Sequence, residues 1–444
     1  MMRKKLLPLC MVIAAFVTSP AFGDQYSDEA NRQNMMAEMR ASAAASDRAN
    51  FESQQRLQDN ADRNSRNNSS SGSYGSSSSG TGSSSYASPS SASRGSSGPR
   101  SIVTTYTFTT YRQETPVALA ARLEREAAAG NTLSAFNLGR VYYTGFDGVP
   151  RDDAAARRWF LTAAKAGHPG AEAQAGQMLY NGIGGPADRT SAMTWVKAAA
   201  DQGDAYGQAL YGFWTLAAQA RVNPDVRNPE AVDYLVKAAY AGQLVAQGFL
   251  GTTVYRLGVG APVDQDRAAK YLRLAADQGF APAQAVLGRS YIYGTGVPKD
   301  YDQAAIWLRK GAAQNDAEAN FLLGRLEILG SGAPADPAAG ARLVKLAADA
   351  GNAEASGFYG VLLQQGIGVP QDQAAAVRYT AKAAQAGDVE GQIGMAKAYY
   401  FGHGVTKDMA QALVWFRKAA AQGNEEAMGD LKSDAALLAA ANGH

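Results

Sequence analysis

The sequence is poor in the residues that carry most protein chemistry. It has one cysteine, Cys10, in 444 residues. That cysteine lies in an N-terminal stretch that reads as a leader, so the chain expected after cleavage has no disulfide, thiolate metal site or catalytic thiol. Only three histidines occur, His168, His403 and His444, too scattered to suggest a metal cluster. An excess of charge of either sign is also missing: 42 Lys and Arg stand against 40 Asp and Glu. Arg3, Lys4 and Lys5 fall in the leader, which has no acid, and the remainder is 39 against 40, or −1. Bulk charge therefore excludes a strongly basic binder of nucleic acid or anionic membrane. The phosphate loop Gly-x-x-x-x-Gly-Lys, the Gly-x-Gly-x-x-Gly turn, His-Glu-x-x-His, the Gly-x-Ser-x-Gly elbow and Ser-x-x-Lys are all missing. Carboxylates are plentiful but form no pair set apart by its surroundings. The expectation is a protein that is not an enzyme, with no cofactor and no metal.

The first 23 residues place Arg3–Lys5 before an apolar run from Leu6 to Val17, followed by Pro20 and Ala21-Phe22-Gly23. Small residues at −3 and −1 suit a signal peptidase cutting after Gly23. The apolar run is about twelve residues, short of the roughly 20 a spanning helix needs. The expectation is an exported chain, periplasmic first and secreted as the alternative, with no transmembrane anchor. Residues 24–63 are polar and read as mostly disordered. Residues 64–100 are a Ser/Gly-rich tract, which cannot bury enough apolar surface to offset chain entropy and reads as a flexible linker. Residues 101–115 open with SIVTTYTFTTY, where Thr alternates with Tyr and Phe as in a strand.

From residue 116 onward one pattern recurs. A helix-like segment ends in Ala-Ala-x-x-Gly, with the Gly at 167, 203, 242, 279, 351, 387 and 423; Gly130, after Glu126-Ala127, and Asn315 stand in the same place. The intervals are 37, 36, 39, 37, 36, 36, 36 and 36. A fixed period of this size marks a solenoid. Gly and Asn are the residues that close a helix in the left-handed conformation. Each unit divides into a helix A and a helix B, joined by loops such as Gly294-Thr295-Gly296-Val297-Pro298-Lys299-Asp300. The first Gly stops helix A and the Asp is placed to cap helix B. Gln303 and Gln411, three residues after Asp300 and Asp408, suggest capping boxes. Eight residues before each terminal position stand Trp159, Trp195, Tyr234, Tyr271, Trp307, Leu343, Tyr379 and Trp415, and Ala-Ala follows at −4 and −3 in all but one unit. An aromatic and a small residue one turn apart on one face predict a packing ladder between units. Helix A carries its own small residue, six before the loop Gly: Gly139, Gly176, Gly288, Gly324 and Gly360, with Ala396 in the last unit.

These motifs identify the segment as resembling the Sel-like repeat (SLR) family, a relative of the tetratricopeptide repeat. The resemblance covers about residues 116–441, with full repeats at 131–167, 168–203, 204–242, 243–279, 280–315, 316–351, 352–387 and 388–423. It implies an all-α, right-handed α/α superhelical solenoid of helix-turn-helix repeats that acts as an adaptor or scaffold, in an exported bacterial member. The third unit departs from the pattern: a long stretch, 217–229, stands where the Gly-x-Gly-Val loop is expected.

In such solenoids helix A lines an extended binding surface, read by side chains that vary between repeats. Five residues before the loop Gly the chain has Arg140, Gln177, Arg289, Arg325, Val361 and Lys397. Two before it come Tyr143, Tyr180, Ile292, Ile328, Gln364 and Tyr400. A basic column beside tyrosines suits an acidic protein segment or a carboxylate-rich glycan; the same residues would equally form a solvated face with tyrosines half-buried between helices. Trp214, near the odd loop of the third unit, is a further candidate contact. Two functions remain: an adaptor of the cell envelope gripping another envelope protein, or a protein associated with peptidoglycan or polysaccharide. No nucleic acid is expected as a partner.

Overall fold

The structure, a computed structural model, describes residues 115–433 except residues 146–147, 224 and 333. The leader, the polar region, the Ser/Gly-rich tract and residues 101–114 lie outside the described residues. Two compact units are described separately, divided between Asp152 and Asp153. The first holds α1 (Pro116–Ala128) and α2 (Thr132–Thr144). Thr115 Oγ1 accepts from the Ala118 N–H at 3.2 Å, and Asn131 Oδ1 accepts from the Ser134 N–H at 2.9 Å, so each helix begins on a side-chain cap.

The second unit is a run of helix pairs. It contains α3 (Asp153–Lys165), α4 (Pro169–Asn181), α5 (Arg189–Asp201), α6 (Ala205–Val222), α7 (Pro229–Tyr240) and α8 (Leu244–Phe249), which continues as a π-helix over Leu250–Gly258. There follow α9 (Gln265–Asp277), α10 (Ala281–Tyr293), α11 (Tyr301–Ala312), α12 (Ala317–Leu329) and α13 (Pro337–Asp349). The run closes with α14 (Ala353–Gln365), α15 (Gln373–Gln385), α16 (Val389–Phe401), α17 (Met409–Ala421) and α18 (Glu425–Ser433). No strand occurs among the described residues; an isolated bridge pairs Arg227 with Gly260.

The helix-ending positions behave as the sequence predicts. Gly167, Gly203, Gly242, Gly279, Gly351, Gly387 and Gly423 have φ between 81° and 93°, and Asn315, at 62°, is the one positive-φ residue other than glycine among the described residues. At these glycines a Cβ would meet no neighbour within 4 Å, so glycine is there for its backbone conformation and Asn can replace it. The loop Asp residues cap helix B: Asp300 Oδ1 accepts from Gln303 N–H and Asp408 Oδ1 from Gln411 N–H, both at 2.9 Å. The expected capping boxes do not close. The N–H groups that Gln303 and Gln411 would satisfy, those of Asp300 and Asp408, already donate to the carbonyls of Tyr291 and Tyr399 in the preceding helix A, both at 2.9 Å.

The irregular intervals have local causes. In the third unit α6 runs on to Val222, so Ala217–Val222 is helix, not the start of a long loop. No glycine stops it, and Leu216, Ala217 and Ala220 keep an apolar face buried. It ends at Asn223, extended at φ −151° ahead of Pro224, whose ring disfavours a helical residue before it. In the fourth unit the extra residue lies inside helix A, where the π-helical stretch absorbs it without moving either end.

Two layers of contact join the helices. Within the pairs of the second unit, each recurring helix-A glycine faces the residue seven before the terminal position, which is buried except for the half-buried Thr380 opposite Gly360. A Cβ on Gly176 would lie 2.4 Å from Val196, and on Gly288 2.6 Å from Leu308. Gly212 and Gly251 occupy the same place against Leu235 and Leu272, although the spacing to the loop hid them. The neighbouring aromatic row is shallower: Tyr271 and Trp307 are buried, and the other six members are half-buried. Four rings lie under a lysine three residues on, with Lys237 over Tyr234, Lys310 over Trp307, Lys382 over Tyr379 and Lys418 over Trp415. The aliphatic stems shield the rings while the ammonium groups stay wet.

Between pairs, the second loop glycine lies against the previous helix B. A Cβ on Gly184, Gly296, Gly332 or Gly368 would stand 2.0–2.1 Å from the carbonyl oxygen of Asp153, Gln265, Tyr301 or Pro337. A ladder of buried polar side chains runs beside it. Gln247, Gln284 and Gln392 donate to the carbonyls of Ala239, Ala276 and Ala384 at 3.0, 3.1 and 3.5 Å. They accept in turn from Gln278, Gln314 and Gln422 of the next helix B at 2.7, 2.9 and 3.0 Å.

Glu172 holds this ladder position in α4, buried and accepting from Gln202 at 2.7 Å. Burial is the main cause that raises its pKa above the usual carboxylate value. The folded state then holds the proton more tightly than the unfolded one. The ionised carboxylate weakens the fold at neutral pH, and stability rises as pH falls through the folded value toward 4.5. Glu172→Gln, which matches Gln208, Gln247, Gln284 and Gln392 at this position, is expected to stabilise the chain by about 1 kcal/mol at pH 7. It should also flatten the rise in Tm between pH 7 and pH 5. Thermal melts of both proteins across that range check it.

Candidate partner-binding groove

The sequence predicts a column rich in cations at the ninth residue of helix A. In the structure these cations meet a second column, the acidic second residue of the following helix A. Arg289 of α10 pairs with Glu318 of α12 at 2.6 Å and reaches Glu354 of α14 at 3.5 Å. Lys397 of α16 pairs with Glu426 of α18 at 2.6 Å. The two columns are complementary and belong to adjacent repeats, so each ion pair also ties repeat to repeat. Burial raises the pKa of Glu318, and Arg289 beside it opposes that shift. Arg256, on the π-helical stretch, is pushed below the usual guanidinium value first by burial and then by Arg289. It donates from Nε to the Thr252 carbonyl at 2.9 Å.

Arg325 breaks the pattern. Glu354, the acid in register with it, turns toward Arg289, and the Arg325 guanidinium lies over the rings of Phe321 and Phe358, 5.5 and 5.8 Å from their centroids. No carboxylate among the described residues lies within ion-pair distance of it. The next ninth position is Val361, 40% exposed, so Glu390 in α16 has no cation beside it among the described residues.

These departures surround a cavity of about 650 Å³ formed by α12, α14, the start of α15 and α16. Its apolar lining includes Phe321, Phe358, Val361, Val377, Ile393 and Phe401. Its charged lining is Arg325 and Lys397 with Glu354, Asp388 and Glu390, and His403 lines it too. Gly391 and Gly394 also line it, and a Cβ on either would stand 2.7 Å from Ala383 or Thr380, so they let α16 lie close against α15. Asp388, the N-cap of α16, accepts from the Gly391 N–H at 2.7 Å. Burial raises its pKa despite that bond, and Glu354 and Glu390 add to the effect. An apolar trough with separated charges can hold side chains. Among the described residues no group of His, Cys, Asp and Glu could hold a metal ion.

The remaining candidate residues sit elsewhere. In the first unit Tyr143 is buried under Arg151, and Arg140 lies over Phe136. Trp214 is buried and stacks on the half-buried Tyr180 at 4.0 Å between centroids, with Arg189 on that tyrosine's ring. Tyr400 is half-buried, edge-on to Phe401 at 4.8 Å. The structure thus brings Arg325 and Lys397 into one groove and leaves Arg289 just outside it. It adds Phe358 and Glu390, which helical spacing did not single out, and Val361, the apolar member of the ninth-residue column. The one sequence signal for them was the break in the cation column at Val361.

The sequence matches the model of the Sel1 repeat at residues 132–168, 169–204, 244–280, 281–316, 317–352, 353–388 and 389–424. The segment passed over holds α6 and α7, the unit whose connection departs from the pattern. Among solved structures, the chain is 30% identical to a protective antigen present in uropathogenic Escherichia coli strains that displays an SLR fold, with a TM-score of 0.56. That match covers 70% of this chain and 66% of the other, so the chain spans just under two thirds of that relative's length. A Sel1 repeat protein from Oxalobacter formigenes is 29% identical, with a TM-score of 0.49, covering 72% of this chain and 94% of that one.

Proposed function

Because the chain belongs to the Sel1 repeat family, whose members mediate protein–protein interaction, we propose that it is a non-catalytic adaptor of the bacterial cell envelope. It holds a partner protein in the groove of α12, α14 and α16. The observation that carries this reading is the groove itself: the helix-A face is closed by ion pairs on both sides and open where Arg325, Val361 and Glu390 interrupt them. Export rests on the basic and apolar pattern of residues 1–23. The absence of nucleophile and phosphate-binding motifs supports a role without catalysis.

A glycan-associated role has one observation in its favour. Tyr240, Tyr293 and Phe401 are exposed aromatics outside the packing ladder, at 66%, 58% and 58%. Such rings suit stacking on sugars, but they lie on separate repeats rather than around one site.

The test is crosslinking and pull-down from envelope extract, with the mature chain and a Phe358→Asp variant as baits. The adaptor reading expects a discrete protein partner held by the wild-type chain and lost by the variant, with both baits equally folded by circular dichroism. Recovery of muropeptides or polysaccharide in place of protein would establish the glycan role. A protein recovered equally by both baits would remove the groove as its site.

A further inference from the structure

The groove is open because two charges in it are left without partners, and their positions specify what would fill it. Along helix A the ninth residue meets the second residue of the next helix A, as Arg289 meets Glu318 and Lys397 meets Glu426, each at 2.6 Å. By that register Glu390 of α16 sits beside Val361 of α14, two repeats along from Arg325 of α12. Neighbouring packed helices are about 8–10 Å apart. The Arg325 guanidinium reaches over the Phe358 ring of α14, so about one such spacing separates it from the Glu390 carboxylate of α16, with the exposed Val361 and the Phe358 ring between them.

We infer that the groove recognises a peptide segment of a partner protein that carries an acidic residue and a basic residue about three positions apart, flanking an apolar side chain. This rests on the groove being the binding face and adds which segment it selects. The acid meets Arg325, whose planar fork suits a carboxylate and is already presented by the two phenyl rings beneath it. The base meets Glu390 and takes the place that a cation holds at the same register in α10 and α16. The apolar side chain enters over Val361 and Phe358. The spacing follows from the strand rise of roughly 3.3 Å per residue, which gives about 10 Å over three residues. A segment with only acids would leave Glu390 facing like charge, and one with only bases would do the same at Arg325.

The same geometry explains how the groove can be shut from within. Val361→Lys restores the missing cation and should pair with Glu390 as Lys397 pairs with Glu426. That variant should melt slightly higher than wild type at low salt, lose the gain at high salt, and no longer bind.

The probe is a library of random linear peptides displayed on phage, panned on the full chain. Three baits are compared: wild type, Val361→Lys, and the double reversal Arg325→Glu with Glu390→Arg. Wild type is expected to enrich peptides with an acid, an apolar residue and a base in the stated spacing. Replacing either charge in a synthetic copy should weaken binding roughly tenfold. Val361→Lys should enrich nothing in common with wild type. The double reversal should enrich the opposite charge order, which a merely misfolded bait would not do. Enriched peptides lacking the charge pair, or the same charge order on the reversed bait, would overturn this inference while leaving a peptide-binding groove in place. No enrichment by wild type would overturn both.

Discussion

Replacing Gly368 by alanine is expected to cost about 2–5 kcal/mol, while the same change at Gly387 costs only about 1–2 kcal/mol. Both glycines have positive φ, 68° and 93°. An L-residue there loses about 1–2 kcal/mol on conformational grounds alone. The difference is what the new methyl meets. At Gly387 nothing lies within 4 Å. At Gly368 the Cβ would stand 2.0 Å from the Pro337 carbonyl oxygen, on the first residue of the preceding helix B, and backbone on both sides has to move. Overpacking of this kind adds about 1–3 kcal/mol. In a chain whose units contact chiefly their neighbours, the damage should fall at that junction. Urea melts of the two variants should therefore differ in slope as well as midpoint, with Gly368→Ala unfolding less cooperatively. Equal losses for the two would mean that the loop glycine serves only its own turn.

The second large effect is expected at Trp307. Its ring is 4% exposed, with Lys310 Nζ 4.0 Å from the centroid and the Arg273 guanidinium at 5.5 Å. Trp307→Ala removes a buried aromatic and both cation–π contacts, for about 3–5 kcal/mol. Trp415 stands at the equivalent place in α17 and is half-buried, with Lys418 Nζ 3.9 Å from its ring. Trp415→Ala should cost clearly less, because less apolar surface leaves water there on folding. Thermal denaturation of the two variants checks the order. If Trp307→Ala left Tm unchanged, the aromatic row would not be a packing ladder.

What could be read from the sequence was whatever repeats within one unit. The period, the positive-φ terminal residues including Asn315, and the Asp caps of helix B all follow from spacing. What could not be read depends on which repeat touches which. The Gln ladder ties each repeat to the one before it, as where Gln247 donates to the Ala239 carbonyl at 3.0 Å, and no single unit displays both ends. Gly212 and Gly251 were hidden because α6 runs long and the π-helical stretch adds a residue, so counting back from the loop lands elsewhere. The aromatic row was visible, but its depth was not: the deepest residues are its neighbours Phe160, Val196, Leu235, Leu272 and Leu308. The candidate site shows the same limit. Arg289, Arg325 and Lys397 look alike in sequence, and only the carboxylates of following repeats separate the two that are paired from the one that is not.

The central claim is that a partner is held on the helix-A side of the C-terminal repeats and not on the helix-B side. The most direct measurement places a photo-crosslinking amino acid at Val361, in the groove, or at Val414, on helix B; the two are similarly exposed at 40% and 43%. Each protein is irradiated in the cells that produce it. The account predicts a discrete protein adduct from position 361, suppressed when Arg325→Glu is added, and none from position 414. Adducts of equal yield from both positions, or from 414 alone, would contradict it.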